Sequence, residues 1–445
     1  MKQKRVNKDT SFLLKKSGIA LTVKAGGMIT QYLFIFTVAR LLGPGKLGTF
    51  TLSFTVVQLV AILALLGLDN LIIRKVAAAK AANNPASLKQ SFQTAATITG
   101  FSSIILSILL YVSGDFLATN IFHKPGLAEH LRVISFALPP FVWINLHAAA
   151  FRGSKNMIGF TLFKTAIPLI NTLLILISWY GALSITPTLG FTVAVIIVCI
   201  LYIFSWRKFS DLGNIEKVTS FPWKETIKES LPMMITGSIF FILNWIDNLF
   251  IGFFRTEADV GIYDTAFKIA SASAIILQAV NAIQAPVFAE FNAGGDIRKL
   301  RQSVFHSNRL LFISTLPITV IMLLMPGFLL SFFGEEFKVG ALCLSILSVS
   351  NMLSAICGSV GILLQMTGHQ IVYNRIILIA AFLSVILNIL LIPKFGIVGA
   401  AIASSVAKVF QNIASAIIVY KRLGIFSIYI PWVTQRIHSS VNNKS

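Results

Sequence analysis

From residue 18 to residue 419 the chain is a near-continuous series of apolar runs, each close to the roughly 20 residues that a helix needs to cross a bilayer. Lipid offers the backbone no hydrogen-bond partners, so such runs are confined to helices whose N–H and C=O groups satisfy one another. Twelve spans are predicted, at 18–41, 47–68, 91–112, 130–151, 157–180, 188–206, 231–254, 260–284, 306–328, 340–365, 370–393 and 396–419. With 56% hydrophobic and only 12% charged residues, a 445-residue chain has too little polar surface to be a water-soluble protein. The predicted fold class is therefore an all-α integral membrane protein of about 12 transmembrane helices.

Lysine and arginine fix the orientation. The N-terminus, alternate loops and the C-terminus hold 24 of them, and the opposite side holds 6. By the positive-inside rule both termini are predicted to be cytoplasmic, in agreement with an even number of spans. Most of the net charge of +21 is accounted for by these short loops, so no nucleic-acid partner is implied. The first apolar run is too long for a signal-peptide core and is expected to be retained. Cys199, Cys343 and Cys357 lie in or beside spans without metal-ligand spacing and are expected to be small buried residues.

The halves repeat weakly. Residues 47–54 (LGTFTLSF) and 260–267 (VGIYDTAF) align at an offset of 213, and Gly153 maps onto Gly368 at an offset of 215. Both matches fall at equivalent places, which predicts two six-helix lobes related by pseudo-twofold symmetry about an axis along the membrane normal, with a site between them and alternating access as the mode of action. The expected organisation is an N-terminal lobe over 1–208, a linker over 209–229, a C-terminal lobe over 230–423 and a tail over 424–445.

Seven cations remain inside the spans: Lys24, Arg132, Lys164, Lys268, Arg309, Arg375 and Lys408. Each costs about 2.5–3.5 kcal/mol at the centre of a lipid-facing helix, so they are expected to face protein or water and to serve an anionic solute. Lys24, Gly27 and Gln31 share a face of the first span, although Lys24 also has the reach to snorkel to the headgroups. Asp264, Lys268, Ser271 and Gln278 form a stripe in the eighth, where Asp264 and Lys268 are also spaced to pair at i,i+4. Lys408 sits mid-span among Ser404, Ser405, Gln411 and Asn412. Lys164 and Arg375 read as internal ties, and Arg132 and Arg309 as interface anchors. Asp247, flanked by Asn244 and Asn248, is the main deep acid of the seventh span, read as a counter-ion or as a proton or sodium site.

Enzyme motifs are lacking. Around Gly45-Lys46 a phosphate loop fails because position 40 is Arg and position 47 is Leu, and there is neither an H-E-x-x-H pair nor a G-x-S-x-G elbow. No cofactor, metal or catalytic residue is expected.

The segments ARLLGPGKLGTF (39–50), LGLDNLIIRKVA (67–78), VGIYDTAFKIA (260–270), FFGEEF (332–337) and the run from Gly368 to Val409 resemble the bacterial polysaccharide transporter family. These are the O-antigen-type, Wzx-like flippases of the superfamily that also contains multidrug and toxin extruders and the peptidoglycan lipid flippase. The resemblance implies translocation of a polyprenyl-pyrophosphate-linked oligosaccharide across the bacterial inner membrane, with a polysaccharide polymerase and a chain-length regulator as further partners. It also implies a cationic cavity, and Lys24 matches the family habit of a basic residue in the first span. One cation about 4 Å from one phosphate charge is worth about 4 kcal/mol at an effective dielectric of 20. On this view Lys24, Gln31, Lys268 and Lys408 bind substrate, Asp247 and Asp264 are counter-ion or coupling-ion candidates, and Asn244, Lys164 and Arg375 are secondary. The competing expectations are an ion-coupled exporter of cationic drugs, which would want more cavity acids, and a membrane scaffold that transports nothing.

Overall fold

A computed structural model describes residues 2–82, 84–154, 156–181, 184–209 and 222–431, without the side chains of 2–25, 85, 157, 158, 161, 163, 164, 205–209, 236 and 240. Among the described residues all regular structure is helical. The chain divides into two compact units, Met1–Phe241 and Ile242–Ser445. The first holds α1 (Lys2–Leu65), α2 (Leu68–Ala81), α3 (Pro85–Phe116), α4 (Leu127–Ser135), α5 (Leu138–Gly153), α6 (Met157–Tyr180), α7 (Pro187–Phe209) and the start of α8 (Trp223–Phe254). The second holds the rest of α8, then α9 (Glu257–Ser271), α10 (Ala274–Ala293), α11 (Ile297–Leu324), α12 (Pro326–Ser331), α13 (Ala341–Cys357), α14 (Val360–Met366), α15 (Gln370–Phe395) and α16 (Ile397–Leu423).

Eight described helices are long and apolar enough to cross a membrane, and ten when each bent pair counts as one span. One of the eight, Gly26–Leu65, is 40 residues long and turns at Gly43 (φ 76°) and Pro44, so it crosses twice. Thr165–Tyr180 is the described apolar part of α6. The result is about twelve spans. Their faces are inverted relative to a water-soluble helix: α3 leaves Ile105, Ile108 and Val112 exposed and buries Ser103 and Ser107. The Ser107 hydroxyl donates to the Ser135 carbonyl (2.7 Å), and Ser102 donates to that of Ala64 (2.5 Å). Lipid solvates the apolar stripe, while small hydroxyl residues let helices approach closely.

Breaks in the spans follow residues that free the backbone. Between α1 and α2, Gly67 has φ 76°, and a Cβ there would strike the backbone of Ser230, Met233 and Met234 in α8. Only glycine allows that approach. Between α13 and α14, Gly358 has φ 78° and lies against the Asn308 side chain. Helices begin at side-chain caps in the loops: Asn84 for α3, Asn156 for α6, a Thr256–Asp259 capping box for α9 and Asp296 for α11. The Lys299 backbone N–H and ammonium hold the Asp296 carboxyl below the usual carboxylate range.

After α16 the chain does not leave the second unit at once. Residues 424–430 run without helix, with Ile425, Ser427 and Tyr429 buried. The Tyr429 N–H donates to the Ile356 carbonyl at 2.9 Å, and the Asn308 amide donates to that of Ser427. Ile425 joins the apolar core formed by Phe288, Leu300, Leu363 and Val419.

Candidate functional site

Helices α8, α9, α13, α15 and α16 of the second unit bring its buried polar groups into two networks. In the first, Asp247 of α8 is 3% exposed. It accepts hydrogen bonds from the Tyr263 hydroxyl of α9 (2.7 Å), the Asn388 amide of α15 (2.7 Å) and the Ser404 hydroxyl of α16. Asn388 also donates to the Ser384 carbonyl at 2.9 Å, and its own Oδ1 is buried without a hydrogen-bond partner among the described residues. Two hydroxyls and an amide N–H from three other helices thus surround one acid whose hydrogen-bond donors are all neutral. A carboxylate so placed can hold its charge through those donors, or share it with a proton or a small hard cation.

In the second network Asp264 takes the lysine. Lys268 Nζ lies 2.5 Å from Asp264 Oδ2, one helical turn away, and the Asn248 amide approaches Asp264 Oδ1 at 3.4 Å. The Lys268 side chain is 19% exposed and that of Asp264 3%. An ion pair this deep is held by its geometry against a desolvation cost of several kcal/mol per charge. Lys408 of α16 has a different setting. Its ammonium donates to the Asn351 Oδ1 of α13, and the Asn351 amide donates to the Ala270 carbonyl of α9 at 2.7 Å. Beside it, the Asn412 amide donates to Ser354 Oγ (3.1 Å) and to the Lys408 carbonyl (2.9 Å). An ammonium has three donors. The described structure supplies one of them with a neutral acceptor, so Lys408 retains capacity for an anion.

The structure therefore places Asp264 and Lys268 on α9 and Lys408 on α16, bridged by Asn351 of α13, with Asp247 on α8. Of the two acids it is Asp264, not Asp247, that holds a lysine. The sequence leaves Asp247 open between a counter-ion and a proton or sodium site; its three donors, Tyr263, Asn388 and Ser404, lie 16, 141 and 157 positions away, so no local spacing announces them. Gln31, Asn244 and Arg375 are exposed. Lys24 and Lys164 lie outside the described side chains. Arg132 pairs with Asp115 near the end of α3, and Arg309 is exposed on α11. Asn351 was not among the expected site residues, because its partner Lys408 is 57 positions away and no local spacing links them. Asn388 did carry a signal. A lone amide inside an otherwise apolar run must find a partner or bear the cost of burial.

A family model described as polysaccharide biosynthesis protein matches residues 37–341. Two relatives come from Haloferax volcanii. The probable low-salt glycan biosynthesis flippase Agl15 is 26% identical over 177 residues, 40% of this chain and 38% of its own length. The probable flippase AglR is 23% identical over 415 residues, 87% of this chain and 78% of its own length. Among solved structures, an inward-facing multidrug resistance MATE family transporter of the MOP superfamily has a TM-score of 0.71 at 16% identity, covering 89% of this chain and 94% of that one. The lipid II flippase MurJ, in an inward closed conformation, has a TM-score of 0.68 at 14% identity, covering 89% and 87%. At these identities the two structures establish the shared all-helical transporter fold.

Proposed function

The chain belongs to the polysaccharide biosynthesis protein family, as a membrane transporter rather than an enzyme, and we propose that it is a flippase for a polyprenyl-pyrophosphate-linked oligosaccharide. In this reading it carries the lipid-linked sugar from the cytoplasmic to the outer leaflet by alternating access, for surface polysaccharide synthesis, with both termini in the cytoplasm. The observation that carries the reading is Lys408: a deep cation held by an amide rather than a carboxylate is suited to gripping and releasing a phosphate oxyanion. Charge-assisted hydrogen bonds to such an anion are roughly twice as strong as neutral ones. Lys268 supports the same role if the cargo displaces Asp264 from it. The names of the Haloferax relatives, a probable flippase and a probable low-salt glycan biosynthesis flippase, support the flippase part of this reading.

Asp247 is proposed as the coupling site. With three neutral donors around it and an unpartnered amide oxygen at Asn388, it is suited to take up a proton or a sodium ion whose gradient drives the cycle.

Purified protein in liposomes, supplied with a fluorescent polyprenyl-pyrophosphate sugar, tests the proposal. Protection of the label from a membrane-impermeant quencher should change many-fold faster than in empty liposomes. Equal rates would overturn the function.

A further inference from the structure

On the outer side of the seam between α13 and α16 lies a cleft of about 710 Å³. Val349 and Leu353 form one wall, and Val406, Phe410, Ile413 and Ile417 the other. Val349, Leu353, Val406, Ile413 and Ile417 are each two-fifths to one-half exposed. The serines at its floor turn their hydroxyls into the backbone: Ser345 to Ala341 (3.1 Å), Ser405 to Ile346 (3.4 Å) and Ser350 to the Ser405 carbonyl (3.5 Å). The cleft lining is accordingly almost wholly apolar. At 100° per residue Asn351 lies about 160° around α13 from the wall residues Val349 and Leu353, and Lys408 about 140–180° around α16 from Val406, Phe410, Ile413 and Ile417, so the amide and the ammonium face away from the two walls while Ser350 and Ser405 lie between.

We infer that this cleft seats the isoprenoid tail of an anionic lipid cargo, with the pyrophosphate at Lys421 and Arg422; the inference rests on the flippase reading. Three features single out that occupant. First, the cleft stripe on α16 ends in charge: Lys421 follows Ile417 by one helical turn, about 6 Å at 1.5 Å per residue, and both Lys421 and Arg422 are exposed in the last turn. An apolar groove that ends in cations complements a lipid whose phosphates adjoin its tail. Second, at roughly 30 Å³ for a water-sized group, the volume admits on the order of twenty carbon groups, a length of a few isoprene units. Third, the wall residues recur at three- and four-residue spacing, one ridge per 5.4 Å turn, close to the length of one isoprene unit. Branch methyls can sit between those ridges, whereas an unbranched acyl chain has nothing to place there. The end of α16 bearing Lys421 is the one that the basic loops assign to the cytoplasm, so the cleft lies where cargo made in that leaflet would first meet the protein.

The test uses the full chain in nanodiscs of phosphatidylethanolamine and phosphatidylglycerol, with geranylgeranyl pyrophosphate carrying a diazirine at the tail end as probe. Photolabelled peptides should map to 345–353 and 405–417, and a long-chain polyprenyl pyrophosphate should compete at least tenfold better than added phosphatidylglycerol. Val406→Trp, which fills the cleft from a lipid-facing position, should lower labelling at least fivefold. Lys421→Gln with Arg422→Gln, outside the packed interior, should do so severalfold, which keeps the test valid if Val406→Trp misfolds. Labelling elsewhere, equal competition by phosphatidylglycerol, or insensitivity to the double charge variant would overturn the inference. Flipping without cleft labelling would sink this inference alone. Cleft labelling without flipping in liposomes would sink the flippase reading and leave the lipid seat.

Discussion

Among the described residues, Asp247 and the half-buried Lys408 are charges hydrogen-bonded to neutral groups, and they invite opposite substitutions. Replacing Lys408 by Met keeps the length of the side chain and removes the ammonium, so the fold should persist while cargo loses a charged hydrogen bond worth about 1.5–3 kcal/mol. At a tenfold effect per 1.4 kcal/mol, the initial flipping rate at low cargo should fall about 10- to 100-fold, and Lys408→Arg should recover part of it. Lys408→Met with wild-type rates would remove this residue from the site. Asp247 calls for a pair of variants. Asp247→Leu strands the donors of Tyr263, Asn388 and Ser404, each at about 1–3 kcal/mol and not additively, so its melting temperature should fall sharply. Asp247→Asn keeps shape and an acceptor while abolishing the charge. It should stay folded and lose the response of flipping to an imposed proton or sodium gradient. A gradient response in the Asn variant would place coupling elsewhere.

Among the elements, the breaks within spans were the least legible in the sequence. Apolar length marks where a helix crosses and says nothing of where its axis bends, so the run 340–365 read as one helix and is in fact α13 and α14 joined at Gly358. The bend depends on a long-range contact: Gly358 makes room for Asn308, whose amide holds the returning chain at Ser427. Gly358→Ala forces a Cβ into that amide at a φ that side-chain-bearing residues avoid, at a cost of about 1–3 kcal/mol. Thermal unfolding should register it, while Gly327→Ala, where a Cβ meets nothing within 4 Å, should stay within about 0.5 kcal/mol of the parent. If the two variants melt alike, the break is not held by this contact. The local pairs were legible for the opposite reason. Asp264 and Lys268 face each other at i,i+4 on one helix, and the sequence alone shows that spacing. The Lys408–Asn351 bond and the three hydrogen bonds to Asp247 join different helices, so only the packed structure could show them.

At the scale of the whole molecule, the roughly twelve spans follow from the length of the apolar runs, but the direction in which the chain threads the bilayer rests on charge. The excess of 24 basic residues over 6 is distributed in short loops, where the positive-inside rule applies most strongly. The direction can be read from single cysteines placed in a background lacking Cys199, Cys343 and Cys357. On intact cells, a membrane-impermeant maleimide should modify Lys46→Cys and Lys338→Cys, and should modify Lys80→Cys and Arg298→Cys only after permeabilisation. The consequence reaches the mechanism. Lys421 and Arg422 share a side with Lys80 and Arg298 in this arrangement, so the cationic end of α16 meets the leaflet in which lipid-linked sugars are expected to be assembled. The reverse labelling pattern would put those cations in the outer leaflet and turn the same lipid seat from a loading station into an exit.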